Sequence, residues 1–274
     1  RGKATVHFIE NNKPQSISGS SGGLATPLPT LRRFKINPSF SDSKMHCIRS
    51  QSYGHVMKIA MQLISYAHHP SRLDLDSFFM QGNPEEHLSG IMSATEDTVR
   101  NPFLLMFEQY LAPKIPWNDY GIVGLSIIHI GQVIPGLTLA RQLRRRYPHL
   151  HIVVGGSVFN RHADLLDDKQ QLFKEFFHSL IVSEGELPLD QLVSHLKENK
   201  PLHTVPNLIH LEGDKVIRNP KTDALPYEQL VCPTFDQLPL EKYLMPYPVL
   251  PYMSSRGCYW GKCCLLYTSD AADE

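Results

Sequence analysis

Residues 120–156 read YGIVGLSIIHIGQVIPGLTLARQLRRRYPHLHIVVGG. Ile122, Val123, Leu125, Ile127 and Ile128 form a nearly continuous apolar run of the kind a strand shows when both faces are covered. Ile134, Leu137, Ala140 and Leu143 then recur at helical spacing. Arg144, Arg145 and Arg146 fall in the last turn, where cations suit the negative end of the helix dipole. Pro148 ends the helix, and Ile152, Val153 and Val154 make a second strand before Gly155-Gly156. The pattern predicts a βαβ unit with a right-handed crossover. Ligands of open parallel sheets bind beyond the carboxyl ends of the strands. Here those ends are Ser126–Gly131 and Gly155–Asn160.

Outward from this unit, the bulk numbers exclude several classes. The chain has 274 residues, enough for one large or two ordinary domains, and is 42% hydrophobic and 20% charged. Lys+Arg and Asp+Glu both number 27, so no global field draws nucleic acid or membrane. The cluster Arg141 with Arg144–Arg146 reads as a solvated helix end. No apolar run reaches the ~18–20 residues of a membrane span, and no signal peptide is visible. Because position 1 is Arg, an absent N-terminal piece is expected. A cytoplasmic protein is expected. Of five cysteines, Cys258, Cys263 and Cys264 cluster, and Cys47 and Cys232 stand apart. This is no secreted disulfide framework; it favours a metal or cluster site in a reducing compartment.

Ala4–Ile9 reads as a short strand and Asn11–Ser43 as a Ser/Gly/Pro-rich loop. His55–His68 predicts a helix with a broad apolar face, ended by His68-His69-Pro70. The two histidines read as a polar helix end, since no further ligand is placed beside them. Leu73–Asn118 reads as interrupted helix, with Phe103–Leu111 packing on the sheet. Ser157–His162 reads as loop and Ala163–Phe177 as helix. Leu180–Val182 reads as a strand running into Ser183-Glu184-Gly185-Glu186. Pro188 sits in the first turn of the next helix, where its missing N–H does no harm; Leu189, Leu192, Val193 and Leu196 give that helix its buried face. Val205–Leu211 and Lys215–Arg218 form a hairpin around Glu212-Gly213-Asp214. Asp223–Pro251 is a proline-stiffened linker.

These residues together resemble radical S-adenosylmethionine (radical SAM) proteins that carry a cobalamin-binding domain. The resemblance covers most of the chain after about Tyr53. Its sharpest pieces are Gly185-Glu186 after a strand, Asp236–Tyr243 (DQLPLEKY), and Ser255–Cys263 (SRGCYWGKC). It implies a flavodoxin-like, Rossmann-type α/β domain with a parallel sheet over about residues 53–222, the linker 223–251, and the start of a truncated radical SAM barrel at 252–263. It further implies that Ser126, Ile127, His129, Gly155, Gly156, Ser157, Glu184, Gly185 and Glu186 contact cobalamin. Paired glycines let backbone approach a bulky group, but they also serve as ordinary strand-to-loop turns. Glu184 and Glu186 suit corrin side arms, and equally the first turn of a helix. The Asp-x-His-x-x-Gly motif that supplies a lower cobalt ligand is absent.

The same resemblance implies that Cys258 and Cys263 ligate a 4Fe–4S cluster whose open iron receives SAM. The third cysteine is expected at position 266, where this chain has Leu266. Residues 264–274, CLLYTSDAADE, back-translate to a run that looks like a sequencing-library adapter, so the chain's own sequence is expected to end near Cys263. The implied activity is reductive SAM cleavage, with methyl transfer the favoured outcome. The implied substrate is a small molecule or peptide, and the electron donor a flavodoxin or ferredoxin; neither nucleic acid nor membrane is expected. The rivals are a radical SAM protein whose front domain binds no cobalamin, and a non-catalytic flavodoxin-like binding module. A zinc site lacks a distant Cys/His pair, and no hydrolase motif occurs.

Overall fold

The computed structural model describes residues 40–251, except positions 76, 223–224, 227–228, 231–233, 237 and 244–248; side chains are described from Cys47 onward, Glu241 excepted. Ala4–Ile9, Cys232, Cys258, Cys263, Cys264 and the tail therefore lie outside the described residues. Among the described residues, 57–222 form one compact unit, and 40–56 with 225–251 another. The first unit carries every described strand.

Helix α1 spans Phe40–Ala67 and thus begins inside the stretch read as loop. Residues 44–53 contain neither Gly nor Pro, so nothing there stops a helix. Its apolar face is not buried: Val56, Met57, Ile59, Leu63 and Ile64 are all exposed. His68 Nδ1–H donates to the Val99 carbonyl at 2.6 Å, which accounts for this histidine as an end-of-helix anchor. The predicted interrupted helix from Leu73 is replaced at its start by a small antiparallel ladder, β1 (Arg72–Leu73) with β2 (Phe78–Phe79). Phe78 is buried and Phe79 exposed, the alternation of a half-covered strand. Two short helices follow, α2 (Leu88–Ala94) and α3 (Phe103–Met106), the latter continuing as a wider turn to Leu111.

The predicted βαβ unit is present as β3 (Ile122–Ser126), α4 (Val133–Arg146) and β4 (His151–Gly155). The strands pair in parallel from Ile122↔His151 to Ser126↔Gly155. Helices α5 (Ser157–Arg161) and α6 (Gln170–Glu175) occupy the segment read as loop and then one helix. β5 (Ser179–Ile181) runs parallel to β4, and α7 (Glu186–Glu198) follows it. β6 (Leu208–Glu212) and β7 (Lys215–Arg218) close the sheet in the order β3-β4-β5-β6-β7.

Two expectations change here. The sheet is mixed, not parallel, because β6 is antiparallel to β5 and β7 to β6. The hairpin turn at Gly213, with φ of 61°, forces that reversal for β7. And β3 is not covered on both faces: it is an edge strand among the described residues, with Gly124 and Ser126 exposed.

The two faces of the sheet differ. Ile152, Val154, Leu180 and Ile209 pack with Leu137, Ala140, Leu143, Phe173, Phe176 and Phe177 beneath α4 and α6. Val153, Ile181 and Leu208 pack with Leu192 and Val205 beneath α7. Leu189 of α7 is 43% exposed and lies outside that face, so the predicted stripe is narrower than expected. Each fully buried Leu, Ile or Phe contributes about 1.5–3 kcal/mol, so the larger α4 side dominates the anchoring of the sheet.

The arginine cluster is not simply solvated. Arg141 is 4% exposed. Its guanidinium donates to the Met92 carbonyl (2.9 Å), Thr95 Oγ1 (2.9 Å) and Glu175 Oε2 (3.0 Å) and lies 5.3 Å from the centre of the Phe176 ring. Position 141 falls on the same helical face as Leu137 and Thr138, both buried, which is why its charge must be met internally. Arg145 pairs with Glu96 at 2.7 Å and Arg146 with Glu108 at 3.0 Å. The run thus ties α4 to the carboxyl end of α2 and to the wider turn after α3.

At the amino end of the parallel strands two imidazoles stack, His151 on His178, with centroids 5.0 Å apart. His178 Nδ1 accepts the Ile152 N–H at 2.9 Å, which requires that nitrogen to be unprotonated. His151 Nε2 lies 2.8 Å from Ser179 Oγ. Burial first, then the Arg144 charge and a neighbouring histidine, push His151 down to about 4 and His178 down to about 3. Below the ordinary value near 6.5, the unfolded chain binds protons that the folded chain refuses. Stability is therefore full above about pH 6.5 and falls as the pH drops toward 4. Thermal melts at pH 7 and pH 4.5 check this: the melting temperature is lower at pH 4.5, and His178→Asn, which keeps an acceptor for Ile152, shrinks the difference.

Candidate functional site

Three loops leave the carboxyl ends of β3, β4 and β5, and each is tied to the next. Ser126 closes β3 directly opposite Gly155, which closes β4. Beyond that pair, the Ile127 N–H donates to the Gly155 carbonyl at 2.8 Å, and the Val158 N–H returns to the Ile127 carbonyl at 3.4 Å. Ser157 Oγ donates to the Ile128 carbonyl at 2.8 Å. The β4 loop is joined to the β5 loop by Asn160, whose Oδ1 accepts the Ser183 N–H at 3.0 Å. The arrangement is a rim of small and polar residues at one end of the sheet.

The predicted contact residues divide by what the fold does with them. Ser126 and Ser157 are exposed at the rim. His129 is exposed and caps the turn into α4: its Nδ1 accepts the Gly131 N–H at 3.1 Å, leaving the proton on Nε2. Gln132 Oε1 completes that cap by accepting from Ile128 and His129 N–H groups. Ile127 is 2% exposed, and its side chain is turned into the core against Gly136. It reaches the rim through its backbone alone.

The two glycines are unequal. Gly156 has φ of 109°, and a Cβ there would sit 2.3 Å from the Ile127 carbonyl oxygen. The fold itself demands glycine at 156. Gly155 has no such conflict; the one atom within 4 Å of a Cβ there is the Ile181 carbonyl oxygen at 3.5 Å, an ordinary contact. Gly155 therefore leaves room at the rim that the fold does not require.

Ser183 adopts φ of 61°, a left-handed conformation rare for a residue with a Cβ. It directs the chain from β5 into Glu184, Gly185 and Glu186. Glu184 is half-buried, Glu186 opens α7 as an exposed first-turn acid, and both have partners. The helix dipole favours an acid at that position. The sequence places Asn160 and Ser183 in strand-end loops but does not show the bond between them or the left-handed backbone at Ser183, because a left-handed non-glycine residue has no sequence signature.

Among the described residues no group of three His, Cys, Asp or Glu is placed to hold a metal ion. The free thiol of Cys47 is exposed. The predicted cluster ligands Cys258 and Cys263 lie outside the described residues. No helix among them is long and apolar enough to cross a membrane.

No known family profile matches the chain. It is 25% identical over 152 residues, 54% of its length, to an uncharacterized methyltransferase from Pyrococcus horikoshii. That match spans 32% of the relative's own length. A looser likeness, with a TM-score of 0.34 and 18% identity, links 44% of this chain to 22% of the radical S-adenosylmethionine methyltransferase TsrM from Kitasatospora setae, solved with tryptophan substrate and the SAM analogue aza-SAM.

The glycine pair separates a position where the fold requires glycine from one where it does not. Gly156→Ala is expected to destabilise the domain by about 2–4 kcal/mol, through left-handed strain and overpacking. Gly155→Ala is expected to stay within about 0.5 kcal/mol of the parent. Chemical denaturation of the two variants reads both values.

Proposed function

We propose that this chain contributes the cofactor-holding α/β domain of a radical SAM methyltransferase. The carrying observation is the preassembled rim in which Ser126, Gly155, Ser157 and the Ser183–Glu186 loop meet at the carboxyl end of three parallel strands. The sequence match to a methyltransferase supports the same reaction class. The Ser255–Cys263 motif supports radical chemistry in the parent protein.

The rim fits a large cofactor with polar side arms. Gly155 leaves an opening that a Cβ would narrow, and Ser126 stands opposite it across the β3–β4 pair. Ser126 and Ser157 would meet amide or phosphate groups, and the Glu184–Glu186 backbone and carboxylates would meet amide donors. Cobalamin, when bound, supplies a carrier for the methyl group. The chain's own contribution is to hold that carrier by its periphery and to keep the β4 and β5 loops from collapsing over it. No histidine in an Asp-x-His-x-x-Gly motif is present to serve as a lower ligand. Cys258 and Cys263 would provide two of the thiolates of a 4Fe–4S cluster, which suit iron as soft, charged ligands.

A second reading has its own support. Gly156 is needed by the backbone of Ile127, and Ile127 by the core, so half of the paired motif is explained with no ligand at all. On that reading the parent protein is a radical SAM enzyme whose front domain is a scaffold.

Anaerobic reconstitution of the parent protein with iron, sulfide and hydroxocobalamin decides between them. The proposal expects bound iron, corrin absorbance that co-elutes with protein, and 5′-deoxyadenosine or methylated product from SAM. Iron without corrin supports the scaffold reading. Neither iron nor corrin overturns both.

A further inference from the structure

We propose that Asn160 is a positioning residue for this site: it locks the Ser183–Glu186 loop into the shape that a bound cofactor meets. The inference rests on the reading of the rim as a cofactor seat. Three observations carry it. Ser183 is left-handed at φ of 61°, a conformation its Cβ disfavours, so something outside the residue must hold it. The β5 ladder has ended by then: the Val182 N–H goes to the Asn207 carbonyl at 2.9 Å, and the next N–H, that of Ser183, goes to Asn160 Oδ1 at 3.0 Å. A backbone N–H only donates, so the atom facing it is the amide oxygen, and the orientation of the Asn160 side chain is decided.

The base of this clamp is itself fixed. The Asn160 N–H donates to the Gly156 carbonyl at 3.2 Å. The neighbouring Phe159 is 7% exposed and meets Phe177 edge-on, with ring centroids 5.9 Å apart. Gly156 rests on the backbone of Ile127. A rigid chain of contacts thus runs from the end of β3 through Gly156 and α5 to Asn160, and across to Ser183. Asn160 is exposed, so it fills no core volume, and its removal costs the loop its anchor without leaving a cavity. A seat ordered before binding spares the cofactor the entropic cost of ordering it.

The test compares the parent chain with Asn160→Ala, which removes the acceptor, and Asn160→Asp, which keeps one. Hydrogen exchange at the Ser183 amide is read in ligand-free protein, and binding of hydroxocobalamin is read by absorbance titration. One net hydrogen bond corresponds to about a five- to tenfold effect. Asn160→Ala is expected to speed exchange at Ser183 by about that factor and weaken hydroxocobalamin binding by a similar one, with amides of β4 unchanged. Asn160→Asp is expected to stay within about threefold of the parent in both. Unchanged exchange in Asn160→Ala overturns the clamp whatever the titration shows. Faster exchange with unchanged binding overturns the positioning role. Faster exchange in Asn160→Ala, with no hydroxocobalamin bound even by the parent chain, overturns the cofactor reading and this residue's role toward it, and the exchange data separate that outcome from failure of the clamp.

Discussion

The junction of β3 and β4 sets everything above it. Gly156 must approach the backbone of Ile127 so closely that no side chain fits, and Ile127 must point its side chain inward against Gly136. Those two demands bring the ends of the parallel strands together and turn both loops outward in the same direction. The hydrogen bond from Ile127 to Gly155 and the return from Val158 hold the turn. Every rim residue is placed relative to this contact. The exposed Ser126 and the open side of Gly155 are what remains after the fold has used the rest.

The interior is anchored differently on the two faces of the sheet. Under α4, aromatic and aliphatic side chains form a large core, and the buried charge packed against it, Arg141, is met by a carbonyl, a hydroxyl, a carboxylate and a ring face. Removing only one partner from such a set costs more than the set contributes, because a buried charge is left without compensation. Under α7 the core is smaller, and the amino end of the parallel strands carries the stacked histidines. That end is held by neutral imidazoles, and its stability is accordingly sensitive to acid.

The sequence carried the βαβ unit plainly, since the strands are continuous apolar runs and α4 keeps strict helical spacing. The β6–β7 hairpin was equally legible from Gly213 and its flanking runs. Other features were hidden for identifiable reasons. The mixed character of the sheet depends on how the chain returns after α7, which local pattern does not encode. Arg141 reads as polar surface by composition, and only the tertiary arrangement of Met92, Thr95 and Glu175 explains its burial. Phe78–Phe79 is too short to outvote its surroundings. The position of Ser126, Gly155, Ser157 and Ser183–Glu186 at strand ends was legible because strand ends in α/β sheets are predictable places. The Asn160–Ser183 bond was not, because it joins two loops through a side chain whose type is common everywhere.

Asn207 fixes the point from which the chain leaves the sheet. It is left-handed and 2% exposed, accepts the Val182 N–H on its carbonyl, donates to the Pro220 carbonyl, and accepts the Thr222 N–H on Oδ1. The outgoing chain after β7 is therefore moored beside the end of β5, on the same side as the loops of the rim. One residue thereby couples the end of β5 to residues 220–222, so loss of its side-chain amide would free the Thr222 N–H while the bond to Val182, made by the backbone, would persist.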